Sequence, residues 1–81
     1  MTAEQLRAAR ALTRLSQRDL ATASGVSEPT IKRLEQSDGE LAANTTTIRK
    51  LGDALVKSGV QFIEENGGGA GVRLAKRQVK R

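Results

Sequence analysis

Apolar residues recur at helical spacing along most of the chain and switch to strand-like runs near residue 60. Leu6, Ala9 and Leu12 are three apart and fall on one side of a helix running to about Leu15. Thr2 and Gln5 in front of it read as a capping box, with the threonine as N-cap and the glutamine reaching back. Leu20, Ala21 and Ala23 give a second, short helix over about Gln17 to Ala23, with Ser16 as its N-cap. Ile31 and Leu34 make the apolar side of a third, from about Glu28 to Ser37. Its N-cap is Ser27, and Pro29 sits in its first turn, where a missing N–H costs nothing. Ile48, Leu51 and Leu55 recur over a fourth helix, about Thr46 to Ser58, capped by Asn44 or Thr45 and ended by Gly59. Beyond it, Val60, Phe62 and Ile63 and then Val72-Arg73-Leu74 flank a glycine-rich run, which predicts a β-hairpin. The chain thus divides into a helical domain (1–58), a hairpin (59–74) and a tail (75–81).

The stretch from Ser16 to Gln36 carries the most specific pattern. Small Ala21 lets two helices cross closely. Gly25 can take the left-handed conformation of a tight turn, and Val26, Ile31 and Leu34 lock the pair. One cap and one glycine would fit any pair of helices in a bundle. The whole set at these spacings is that of a DNA-reading helix-turn-helix. In such a motif the second helix meets base edges in the major groove. The candidates for base contact are Ser27, Glu28, Pro29, Thr30, Lys32 and Arg33. Arg33 suits a bidentate bond to guanine O6 and N7, Glu28 can accept from a cytosine amine, and Thr30 or Pro29 can touch a thymine methyl. Lys32 suits a base or a phosphate. Glu28 repels phosphate, so it reads as a specificity device or as a favourable charge at a helix N-terminus. Gln17 and Arg18, at the start of the second helix, are candidates for phosphate. So are Asn44, Thr45, Thr46 and Thr47, although plain capping explains the same residues. Taken singly, each of these side chains also fits a solvated face.

Composition narrows the function classes. Eighty-one residues make one domain with a modest core, so dimerisation is expected. With no cysteine and no histidine, thiol chemistry, zinc sites of the usual kind and histidine acid–base work are absent. No catalytic constellation, metal or cofactor is expected. No apolar run approaches a membrane span and the N-terminus is no signal peptide, so a cytoplasmic location is expected. Net charge is +5, and residues 1–66 balance, with nine Lys/Arg against nine Asp/Glu. The excess comes from Arg73, Lys76, Arg77, Lys80 and Arg81. Such a tail can grip DNA phosphates, read a minor groove, or simply aid solubility. The glycine run lacks the Gly-Lys-Ser/Thr ending of a phosphate-binding loop. An isolated hairpin is marginal in water, so this one packs on the fourth helix or pairs with a second subunit. Val60, Phe62, Ile63, Val72 and Leu74 are the dimerisation candidates; Phe62, the one aromatic residue, can anchor that contact or close the monomer core.

LRAAR in residues 6–10, SQRDLA in 16–21, GVS in 25–27 and IKRLE in 31–35 resemble the Cro/CI-type (XRE) helix-turn-helix regulators. GVQFIEENGGGAGVRL, residues 59–74, resembles a subgroup of very short bacterial regulators ending in a glycine-rich segment. The resemblance implies an all-α, lambda-repressor-like helix-turn-helix bundle of four helices plus a short C-terminal β-hairpin. It implies a homodimer on a pseudo-palindromic operator in double-stranded DNA, controlling its own or a neighbouring promoter. RNA polymerase is a further candidate partner, and no membrane or small-molecule ligand is expected. With one domain, control falls to protein concentration and operator affinity. The resemblance also implies that Arg10, a charge beside the apolar side of the first helix, pairs with Glu35 and ties helix one to helix three, a structural role. Where the family often has a glycine two residues after that glutamate, this chain has Ser37, and its first glycine is Gly39. The path of residues 38–46 is therefore open, with Leu41 as its expected anchor. The same fold resembles toxin-neutralising antitoxins, so the alternative function is an antitoxin-like protein-interaction module whose C-terminal segment binds a partner protein.

Overall fold

A computed structural model describes residues 1–65 and 67–75. The order of elements is α1 (Ala3–Thr13), α2 (Gln17–Ser24), α3 (Glu28–Glu35), α4 (Thr45–Lys57), β1 (Val60–Ile63) and β2 (Gly71–Leu74). The caps follow the sequence pattern. Thr2 and Gln5 form the capping box of α1, and Ser16, Ser27 and Asn44 accept from the first turns of α2, α3 and α4. Asn44, rather than Thr45, starts α4, its Oδ1 accepting from Thr47 N–H at 2.7 Å.

Three helices end earlier than expected. α1 stops at Thr13 because Arg14 turns left-handed (φ 59°) and its N–H closes on the Ala11 and Arg10 carbonyls. Leu12, expected on the buried side, lies in that last turn and is 40% exposed. α3 stops at Glu35 rather than Ser37. The Arg7 guanidinium reaches over and takes the carbonyls of Glu35 and Ser37, which satisfies free acceptors at a helix C-terminus with a cation. α4 ends at Lys57, with Ser58 as its cap.

The core joins Leu6 of α1, Leu20 of α2, Ile31 and Leu34 of α3, Leu51 and Leu55 of α4, and Val60 of β1, all at most 2% exposed. Emptying any one of these leucine sites to alanine costs about 2–5 kcal/mol by lost transfer energy plus cavity. The loop after α3 passes in front of α1. Ala3 N–H bonds the Gly39 carbonyl at 2.8 Å and Leu41 N–H bonds the Met1 carbonyl at 3.1 Å. Gly39 (φ 75°) takes a left-handed turn in this loop, and Leu41, 6% exposed, anchors it as expected.

β1 and β2 pair antiparallel, with Val60 opposite Leu74 and Phe62 opposite Val72. Such pairs share one face of a hairpin. Here that face turns to the core: Val60 is buried, and Phe62 and Val72 pack against it. Gln5 fastens the hairpin to α1. Its Nε2 donates to the Gly71 carbonyl at 3.0 Å and the Ile63 carbonyl at 3.5 Å, while its Oε1 accepts from Thr2 N–H.

Candidate nucleic-acid interface

α2 and α3 pack against each other through the turn Gly25-Val26-Ser27, and α2 also packs on α4. Gly25 is left-handed (φ 79°), its N–H bonded to the Ala21 carbonyl at 2.9 Å. Ser24 Oγ accepts from Val26 N–H at 3.1 Å, and Val26 enters the core at 7% exposure. The turn is fixed from inside by Val26 and from outside by this bond.

With about 100° between successive residues of a helix, Ile31, Leu34 and Glu35 occupy one side of α3, and they are buried. Pro29, Lys32 and Arg33 lie within the opposite arc, Glu28 stands at its edge in the first turn, and all four are exposed. Gln36 falls on the same arc and is exposed, although the sequence pattern had placed it only as the end of the motif. Ser27 and Thr30 are committed locally: Ser27 Oγ donates to Thr30 Oγ1 at 2.8 Å and accepts from Thr30 N–H at 3.3 Å. Glu28, Pro29, Lys32 and Arg33 therefore have the greater freedom to meet a ligand.

At the start of α2, Ser16 Oγ accepts from Asp19 N–H at 2.9 Å and Asp19 Oδ2 accepts from Ser16 N–H at 3.1 Å. The bond from the Ser16 backbone, then that from its hydroxyl, lowers the Asp19 carboxyl pKa below its ordinary value. Asp19 thus belongs to the cap. The next two residues, Gln17 and Arg18, stand at the helix N-terminus with Arg18 exposed.

Arg10 and Glu35 form the expected pair. Arg10 Nε bonds Glu35 Oε2 at 2.7 Å and Nη2 bonds Oε1 at 2.9 Å, a two-pronged contact. Arg10 Nη1 also donates to the Leu15 carbonyl at 3.0 Å. Gln17 joins the network, its Nε2 donating to Glu35 Oε1 at 3.1 Å. Burial alone would raise the Glu35 carboxyl, but the bonds from Arg10 and Gln17 outweigh it and the pKa is lowered. The Arg10 guanidinium is raised by its bond to Glu35. One buried carboxylate thus ties α1, the start of α2 and the end of α3, and so links the candidate reading helix to the candidate phosphate end of α2. The Gln17 and Arg7 contacts gave no separate signal in the sequence; both arise only when three helices meet.

Asn44, Thr45 and Thr46 are exposed at the start of α4 and Thr47 is half-buried. Asn44 is a cap, so its amide nitrogen remains for other partners. These residues join the motif through the packing of α4 on α2. Of the dimerisation candidates, Val60 is 2% exposed and packs in the core. Phe62, Ile63 and Val72 are half-buried, and Leu74 is 53% exposed. The basic residues at 76, 77, 80 and 81 lie outside the described residues. Among the described residues no group of three or more acidic side chains could hold a metal ion, and no helix is long and apolar enough to cross a membrane.

The model of a helix-turn-helix domain matches residues 3–60. The chain belongs to that family. It is a Cro/CI-type helix-turn-helix protein, with the DNA-binding and transcription-regulating character of that class. Comparison with curated proteins gave no match. The matched span covers α1 to α4 and ends at the first residue of β1.

Proposed function

We propose that the protein is a sequence-specific transcription regulator that reads a pseudo-palindromic operator as a homodimer and controls its own or a neighbouring promoter. The observation that carries this reading is the exposed arc of α3, with Pro29, Lys32 and Arg33 set away from the buried Ile31 and Leu34 and Glu28 exposed at its start. A helix anchored on one side by the core and presenting mixed charges on the other is built to enter a major groove. Arg33 reads guanine and Glu28 discriminates against pairs lacking a groove-facing amine. Gln17 and Arg18 at the start of α2, and Asn44, Thr45, Thr46 and Thr47 at the start of α4, meet phosphates and fix the register. Two copies place two α3 helices about 34 Å apart, one turn of DNA. The surface offered to the second copy is Leu74 with the exposed part of Val72. Occupancy of the operator then blocks or assists RNA polymerase.

The test is binding to DNA just upstream of the protein's own gene, competed with random duplex across a salt series. Specific binding that weakens steeply with salt and a symmetric footprint are expected. Binding equal to random duplex would defeat the autoregulatory reading. It would favour the second reading, a partner-binding module of the antitoxin kind, for which Leu12, Val56 and Leu74 are exposed apolar contacts.

A further inference from the structure

A groove of about 390 Å³ opens between α4 and the turn end of the hairpin. Its apolar floor includes Ile48, Val56, Phe62 and Ile63, and Val56 is 56% exposed there. Four carboxylates line it, Glu40, Asp53, Glu64 and Glu65, against a single side-chain cation, Arg49. Glu40 meets the Met1 ammonium at 3.7 Å, and Glu65 accepts from Gly69 N–H at 3.1 Å. Asp53 and Glu64 pair with no cation among the described residues. An acidic apolar groove repels a nucleic acid and suits a segment that carries Lys and Arg around an apolar residue.

The chain itself holds such a segment. Residues 76–81 read Lys-Arg-Gln-Val-Lys-Arg, four cations around Val79. Ala75, which precedes them, bonds the Gly59 carbonyl through its N–H at 2.6 Å, so the segment starts beside the C-terminal end of α4. From there six residues reach at most about 20 Å. The groove side of α4 from Val56 back to Ile48 is about 12 Å long at 1.5 Å per residue. Val79 lies four residues on, within about 13 Å, while Asp53 is about 9 Å back along α4 from Gly59. In an extended segment Arg77, Val79 and Arg81 share one side, which matches an apolar floor with a carboxylate on either rim.

We propose that residues 76–81 dock in this groove of their own chain, Val79 on the apolar floor and the flanking cations against Asp53 and Glu64. The groove then withholds four positive charges from any polyanion, and a polyanion that takes the segment must compete with it.

The experiment places a nitroxide on the full chain through Gln78→Cys, which gives a single attachment point because the protein has no other cysteine. Amide intensities are compared by NMR with the label oxidised and reduced. The amides of Gly52, Asp53, Val56 and Glu64 are expected to lose more than half their intensity, while those of Glu28 to Arg33 keep theirs. Raising salt to about 0.5 M, where screening acts within a few ångströms, should restore the signals at least twofold. So should Asp53→Lys with Glu64→Lys, both at exposed positions. If this variant unfolds by circular dichroism, the salt series alone decides. Uniform or absent broadening overturns the proposal. So does broadening seen only when labelled, isotope-free chain is mixed with unlabelled, isotope-enriched chain, which would assign the groove to the segment of a second copy.

Discussion

Replacing Arg10 by methionine removes the cation from the Arg10–Glu35 pair and keeps most of the side-chain volume. The Glu35 side chain is 5% exposed and that of Arg10 is 26% exposed. Stranding a buried charge by removing its partner costs about 3–5 kcal/mol. Arg10 is partly solvated and Gln17 still donates to Glu35, so the cost falls below that range, to about 2–3 kcal/mol after screening. A domain of this size is stable by about 4–12 kcal/mol, and the loss should lower Tm by about 10–20 °C. Urea and thermal unfolding followed by circular dichroism measure it. Acid supplies an independent signature. The Glu35 pKa is depressed in the folded protein, so its stabilising effect is present above the ordinary glutamate value of about 4.3 and is lost as pH falls through the depressed value. In Arg10→Met the carboxyl keeps its burial and loses its cation, so it rises and protonates more readily. The stability gap between the two proteins should therefore narrow as pH falls from 7 toward 4. A gap below about 0.5 kcal/mol at pH 7, the level of a surface pair, or one that does not change with pH, would refute the buried-network account.

Arg33→Ala should weaken operator binding by about 1–3 kcal/mol and relax the base preference at one position; equal loss on operator and random duplex would remove Arg33 from the base-reading set. Gly25→Ala meets no atom within 4 Å but must hold φ 79°, so it should cost about 1 kcal/mol, and an unchanged urea midpoint would contradict that. Gln5→Ala loses a cap and both bonds to the hairpin, so amide exchange in β1 and β2 should quicken more than tenfold while α4 is little changed; uniform exchange would show that Gln5 is not the fastening. Ending the chain at residue 65 should weaken self-association in sedimentation, and an unchanged dimer would place the interface elsewhere.

Much of the fold was legible because its signals are local. Ser16, Ser27 and Thr2 cap their helices through atoms three residues away, Gly25 turns left-handed on its own dihedrals, and the spacing of Ile31 and Leu34 decides which side of α3 is buried whatever it packs on. The exposed arc of α3 follows from that alone. The Arg10–Glu35 pair came from family likeness, since nothing local joins residues 25 apart in sequence. What only tertiary structure decided was set by contacts between distant elements. Arg7 ended α3 early by taking its carbonyls, Gln17 turned to Glu35, and Gln5 served both the cap of α1 and the hairpin. The hairpin shows the division most clearly. Alternation along Val60 and Phe62 announces an apolar face but not its occupant; the close of β1 against α1 and α4 gave that face to the monomer core. Leu74, one pair further along the same face, ran past the core and stayed exposed. A pattern along the chain fixes which side of an element is apolar, whereas only the packing of the other elements fixes how far along it that side is covered.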